Sequence, residues 1–205
     1  MSTVVSDRIL RRMRGHGRGR WVGTAKDFLD VGNRAAVDQA LSRLARQGTI
    51  RRVARGMYDL PRHSTTLKRD VPVKVDAVVK AVARRDGIRI MPDNIVAANG
   101  LGLTNAVPSK NAYVTDGTAR TIRAGKWDIR LKHADAKLMS FSGSPSAPAV
   151  QALHWLGRDV AADRATIDIL RSRLGKDAKR DLARGMNRLP SWAAKVASQV
   201  VAAAS

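Results

Sequence analysis

Asn33–Gly48 reads NRAAVDQALSRLARQG. Val37, Leu41 and Leu44 recur at i, i+4 and i+7, with Ala36 and Ala40 beside them, which makes one apolar stripe on a 3.6-residue period. Asn33 stands where an N-cap belongs and Gly48 where a helix stops. The face away from the stripe carries Arg34, Asp38, Gln39, Ser42, Arg43 and Arg46. Guanidinium and amide groups without a large apolar side chain suit a duplex groove, where Arg reads guanine edges and Gln adenine edges. The same face also fits the wet side of any helix packed on a core, so the flanking sequence has to decide.

Upstream, Val5–Arg14 predicts a helix with Val5, Ile9 and Met13 on one face and Arg8, Arg11, Arg12 and Arg14 around the others. GHGRG at 15–19 breaks it, and Trp21-Val22 supplies a short strand. Thr24 caps a second helix, AKDFL, with Asp27 at the third position of a capping box, where the longer Glu is usual. Asp30-Val31-Gly32 is the tight turn of a helix-turn-helix. Downstream the period changes. TIRRV at 49–53 and MYDL at 57–60 read as strands around Ala54-Arg55-Gly56, with Gly56 free to take a positive φ. The order of helix, strand, helix, turn, helix and hairpin is that of a winged helix-turn-helix. In that layout the third helix enters the major groove, and the wing, with Arg51, Arg52 and Arg55, lies over the backbone or minor groove. The predicted DNA-binding residues are therefore Asn33, Arg34, Asp38, Gln39, Ser42, Arg43, Arg46, Arg51, Arg52 and Arg55. Arg34, at the positive end of the helix dipole, favours phosphate.

Charge points the same way. The 205 residues carry 38 Lys and Arg against 17 acids, a formal charge of +21. All the acids are Asp, and Arg outnumbers Lys 27 to 11. The absence of Glu reads as a genomic bias, so the Arg excess carries little weight. The net charge carries more, because Asp could have balanced it. A surface this positive draws polyanions, with nucleic acid the default partner. The absence of Cys excludes disulfides and thiolate metal sites. No apolar run approaches the roughly 20 residues of a membrane span, and no secretory signal opens the chain. The expectation is a bacterial protein of the cytoplasm, nucleoid-associated when bound to DNA, with no membrane partner.

The sequence divides into a winged helix-turn-helix at 1–62, a polar linker at 63–72 and a second domain at 73–205, an α+β chain overall. In the second domain, Val73–Arg85 and Asp93–Gly100 predict helices. Ala112–Thr115, Arg120–Arg123 and Asp128–His133 predict strands of a small antiparallel sheet, with Leu138–Phe141 read as a further edge. Helices are expected over Ala149–Leu156, Arg164–Leu174 and Lys176–Arg184, and after a cap at Ser191; the terminal VVAAAS is expected to fray. Trp21 and Tyr58 are expected to close the first core, and Trp127, Trp155 and Trp192 to anchor the second.

Catalytic signals are sparse. His16, His63, His133 and His154 lie far apart without the spacing of a metal helix, and His133 with Asp135 is the nearest pair. NGLGLTN at 99–105 lacks the GK[ST] ending of a P-loop and reads as a helix-terminating turn. The expectation is a protein that is not an enzyme and takes no cofactor or metal; a basic nuclease is the rival that these residues support least.

The run GNRAAVDQALSRLARQGTIRRVARGMYDLP at 32–61 resembles the N-terminal winged-helix region of AbiEi-type antitoxins of bacterial type IV toxin–antitoxin systems. The likeness rests on the V-x-x-A-L-x-R-L helix, the Gly48-x-Ile50-x-Arg52 strand and Arg55-Gly56-x-Tyr58. NGLGLTNAVPSKNAYVTDG, the strand pair ending at His133 and VQALHWLG extend it over most of the chain. The resemblance implies a mixed α/β antitoxin domain with C-terminal helices behind the winged helix. It implies a DNA-binding antitoxin that represses its own operon at promoter repeats and counteracts a co-encoded nucleotidyltransferase-type toxin, with a homodimer on DNA suited to repeated sites. The alternative is a stand-alone winged-helix transcriptional regulator without a toxin partner.

Overall fold

The computed structural model describes residues 2–66 and 68–202. It is a mixed α/β fold, with an N-terminal region of helices and short strands and several C-terminal helices. The chain forms two compact units, Met1–Ile88 with Thr121–Ile129, and Arg89–Arg120 with Arg130–Ser205.

In the first unit, α1 (Ser2–His16) buries Ile9, Leu10 and Met13 and ends before Gly17. Strand β1 (Val22–Thr24) leads into a single 3-10 turn, Ala25–Phe28. The α-helix expected there is absent for a simple reason. The residues that bury are Ala25 and Phe28, three apart, which is the 3-10 period, while Leu29 stays exposed. Asp27 still works as the capping acid, accepting from the Thr24 N–H at 2.8 Å and its hydroxyl at 2.9 Å. Helix α2 (Arg34–Arg46) comes next, burying Val37, Ala40, Leu41 and Leu44 against Ile9, Met13, Phe28 and Ile50.

Strands β2 (Arg51–Ala54) and β3 (Met57–Asp59) make the hairpin, with Gly56 at φ +67° in its turn. A residue with a Cβ would be strained at that φ. The sheet order is β1-β3-β2, antiparallel throughout, so β3 is central. Gly23 in β1 meets a different constraint. A Cβ there would lie 2.6 Å from the Trp21 ring and 3.1 Å from Phe28, so only glycine lets the indole close over the strand.

The expected linker contains a two-strand ribbon, β4 (His63–Ser64) with β5 (Arg69–Asp70). Helix α3 (Val75–Asp86) belongs to the first unit, not to the second. It packs against β1, where Arg84 donates to the Val22 carbonyl at 2.8 Å and pairs with Asp27 at 3.0 Å. The compact units therefore divide elsewhere than at residue 62. Two aliphatic rows on α3 (Val78, Val79, Ala81 and Val82, all buried) needed a partner that sequence alone did not specify.

The second unit opens with β6 (Ile90–Pro92), a strand the periodicity missed because it is three residues long and ends in Pro. Helix α4 (Asn94–Gly100) ends in the turn expected of NGLGLTN, with Leu101, Gly102 and Leu103 donating back to Ala97, Asn99 and Ala98. Strand β7 (Ala112–Thr115) pairs antiparallel with β6. From Thr121 on, the hairpin of β8 (Arg120–Ala124) and the start of β9 (Trp127–His133) lies in the first unit. There the Gly125 amide donates to the Val53 carbonyl at 3.0 Å and the Trp127 indole to that of Val73 at 3.0 Å. Trp127 thus serves the first unit rather than the second core. Beyond Ile129, β9 pairs with β7 in parallel, Ala112 opposite Arg130 and Thr115 opposite His133. An all-antiparallel sheet does not form, because the chain reverses twice, into β8 and out of it, before β9 reaches β7.

Leu138–Phe141, expected as a sheet edge, lies in and just after the short helix α5 (Ala136–Met139), capped by the Asp135 carboxylate on the Leu138 N–H. Helix α6 (Ala147–Ala161), kinked at Gly157, is succeeded by α7 (Arg164–Arg173), α8 (Lys176–Gly185) and α9 (Ser191–Val201). Pro190, not Ser191, occupies the N-cap of α9. The helices enclose a core of Phe141, Leu153, Leu170, Leu182, Val196 and their neighbours. Trp192 packs on that core, whereas Trp155 remains 38% exposed. The expected fraying of VVAAAS falls mainly on 203–205, outside the described residues. Among the described residues, no helix is long and apolar enough to cross a membrane.

Candidate nucleic-acid interface

The predicted site residues divide by what holds them. Asn33 is the N-cap of α2, its Oδ1 accepting from the Ala36 N–H at 2.9 Å, so its side chain is committed to starting the helix. At 3.6 residues per turn, Ala35, Gln39, Ser42 and Arg46 point away from the buried stripe, and all four are exposed. Arg34 and Asp38 form one flank, joined by an i,i+4 ion pair at 2.7 Å. Arg43, half-buried, forms the other. The small side chains at 35 and 42 let another surface approach the helix backbone, while Gln39 and Arg46 supply the long polar groups.

The hairpin separates its arginines by side. Arg51 turns in, donating from Nε and Nη2 to the two oxygens of Asp59 at 3.0 and 2.6 Å, and from Nη1 to the Val71 carbonyl at 3.1 Å. The Asp59 side chain is fully buried, so Arg51 neutralises a charge inside the fold. It is not one of the outward cations that the sequence grouped with Arg52 and Arg55. Those two are exposed, Arg55 in the turn beside Gly56. Arg43, Arg46, Arg52 and Arg55 have no ion-pair partner among the described residues.

Sequence reasoning missed how the remaining aspartates sort the cations. Arg12 on α1 grips Asp30 with both terminal nitrogens, at 2.8 and 2.6 Å, and its guanidinium lies 5.8 Å from the Phe28 ring. Its hydrogen bond holds the Asp30 carboxyl below the usual carboxylate range. Asp27 also lies below that range. Burial pushes it up, but hydrogen bonds from Arg84 and Thr24 outweigh the burial. Arg8, Arg11 and Arg14 remain exposed around α1. The first unit carries 22 Lys and Arg against nine Asp. Its acids pin chosen arginines into the fold and leave the others facing out.

The catalytic rivals gain no support from the geometry. His133 Nδ1 lies 3.0 Å from the Gly117 carbonyl, and Asp135 caps α5 instead of meeting it. His16 stacks on Trp21 at 4.3 Å. Burial lowers the His154 pKa, and its ring meets Trp192 edge-on. Among the described residues no three His or Asp side chains gather in a metal-binding group.

No curated protein and no solved structure matches the chain. One family model does, over residues 8–182, a span that takes in α2, the hairpin and most of the second unit; the chain belongs to that family of unknown function, DUF6088.

Proposed function

We propose that the first unit acts as a winged helix-turn-helix on duplex DNA, and that the chain is a DNA-binding antitoxin repressing its own toxin–antitoxin operon. The observation that carries the DNA reading is the outer face of α2. Gln39, Ser42 and Arg46 stand exposed over an apolar stripe that is wholly buried, and a hairpin with two exposed arginines comes after it. In this reading α2 enters the major groove, Gln39 and Arg46 meet base edges, and Arg43 lies along one wall. Arg52 and Arg55 hold phosphates from the wing, and Arg34 contributes from the N-terminus of α2 while steadied by Asp38. No step calls for a metal or cofactor, and the chain is not an enzyme in this reading. A second copy on the neighbouring repeat of the promoter completes the complex.

The antitoxin role rests on the resemblance over 32–61, 99–117 and 150–157, and on no contact in the fold. Its partner is a co-encoded nucleotidyltransferase-type toxin, and its compartment the cytoplasm.

Binding of the chain's own promoter fragment over a salt series tests the DNA reading. Gln39→Ala is expected to cost about 1–3 kcal/mol on the promoter and little on a scrambled duplex. Arg52→Ala weakens both duplexes and flattens the salt slope by about one unit. Variants that bind like the parent protein would refute the interface. Co-expression with the adjacent reading frame tests the second role. Rescue of growth supports the antitoxin, whereas promoter binding without rescue leaves a stand-alone regulator.

A further inference from the structure

The second unit contains a cleft of about 700 Å³ that the DNA reading does not use. Its floor is β6, one wall is α4 with the turn after it, and the other is the 142–144 loop with the first turns of α6. None of its thirteen lining residues is charged. That is against the grain of this unit, in which 16 Lys and Arg and eight Asp stand elsewhere. Met91, Val96, Leu101 and Pro148 supply apolar surface. Ser142, Ser144 and Gln151 supply the polar groups.

The walls are fixed in advance. Gln151 is 4% exposed, and its Nε2 donates to the Pro92 carbonyl at 2.6 Å, so the amide is clamped between floor and wall. The loop is pinned from behind, where Ser146 donates from its hydroxyl to Asp181 at 2.6 Å and from its N–H at 3.2 Å, and the Ser144 and Ser146 hydroxyls meet at 3.2 Å. A rigid, mostly apolar concavity of a few hundred Å³ with a few oriented polar groups is the usual form of a small-molecule site. The NGLGLTN turn and the VQALHWLG helix, 50 residues apart in sequence, both line it through Gly100, Leu101 and Gln151.

We infer that this cleft binds an uncharged, largely apolar small molecule carrying one or two hydrogen-bonding groups. A phosphate-bearing ligand or a nucleic-acid strand would find no cation in the lining, and burying an unpaired anion there is costly. A second copy of this chain brings another +21 to the contact. The inference is independent of the DNA reading.

The test uses the full chain and a neutral fluorescent probe, N-phenyl-1-naphthylamine, because an anionic dye would be drawn to the basic surface. The probe is expected to bind saturably, one per chain, with an affinity that does not change between low and high salt. Gly100→Leu fills the cleft without strain, since a Cβ at Gly100 meets nothing within 4 Å. Val96→Arg, at a position 37% exposed, puts a cation at the mouth. Each is expected to weaken the probe by roughly tenfold or more, with the thermal melt and promoter binding unchanged. Val107→Arg, at a position 88% exposed and outside the lining, leaves the probe bound. Non-saturable or salt-sensitive probe binding, or binding that both cleft variants leave intact, overturns the inference. So does a change in sedimentation on Gly100→Leu, which would make the cleft an interface between copies.

Discussion

The two units treat charge differently. In the first, Asp27, Asp30, Asp38 and Asp59 draw Arg84, Arg12, Arg34 and Arg51 into ion pairs, and the arginines left over face outward on α2 and the hairpin. In the second, Asp181 holds a loop through Ser146, Asp93 pairs with Lys132 at 2.8 Å, and a cleft of about 700 Å³ is left with no charge in its lining. A tally of basic residues would call both units polyanion-binding. What separates them is the pairing: a cation bound to a buried carboxylate, as Arg51 is to Asp59, is part of the fold, whereas an unpaired one, or one in an exposed pair such as Arg34 with Asp38, remains available to a partner.

Arg51 and Arg52 put this contrast on adjacent residues. Arg51→Ala leaves a fully buried carboxylate unpaired and is expected to cost about 3–5 kcal/mol in urea unfolding. Arg52→Ala is expected to change stability by no more than about 0.5 kcal/mol while weakening duplex binding. Equal stability losses for the two would erase the distinction between structural and available arginines. Asn33→Ala should cost about 1 kcal/mol through the lost cap, with Asn33→Gly recovering most of it; a large binding defect in the Gly variant would show that Asn33 also touches DNA. Arg34→Ala breaks an exposed ion pair and should move stability by less than about 0.5 kcal/mol.

Acid separates the units more finely. Asp27 and Asp30 have folded pKa values below their ordinary range. Their contribution is present above about pH 4, the unfolded value, and is lost as pH falls through the folded values. His154, lowered by burial, acts earlier. The unfolded imidazole takes up its proton below about pH 6.5, so the folded state loses stability there. Amide exchange at about pH 5.5 against about pH 7.5 should show reduced protection in the second unit and little change in the first, and His154→Gln should remove the difference.

The Asn33–Gly48 helix could be read correctly from sequence because every device it uses is local: an N-cap, an apolar stripe on one period, and a glycine just past its end. The hairpin was legible for the same reason, through Arg55-Gly56 between two short apolar strands. The sequence misled where a local cap was passed over and where a segment's state depends on a distant partner. Leu138–Phe141 has the apolar content of a strand, yet a carboxylate three residues upstream of Leu138 starts a helical turn there. β6 exists because β7 lies beside it. The sequence by itself therefore determined α1, α2 and the hairpin within the first sixty residues and the outward face of α2, since these arise from spacings within one or two turns, but not the 3-10 turn at Ala25–Phe28. Only the tertiary structure decided that Arg51 belongs to the interior, that α3 joins the first unit and that an uncharged cleft opens in the second. Each of these depends on which group lies opposite which, across separations that backbone periodicity does not encode.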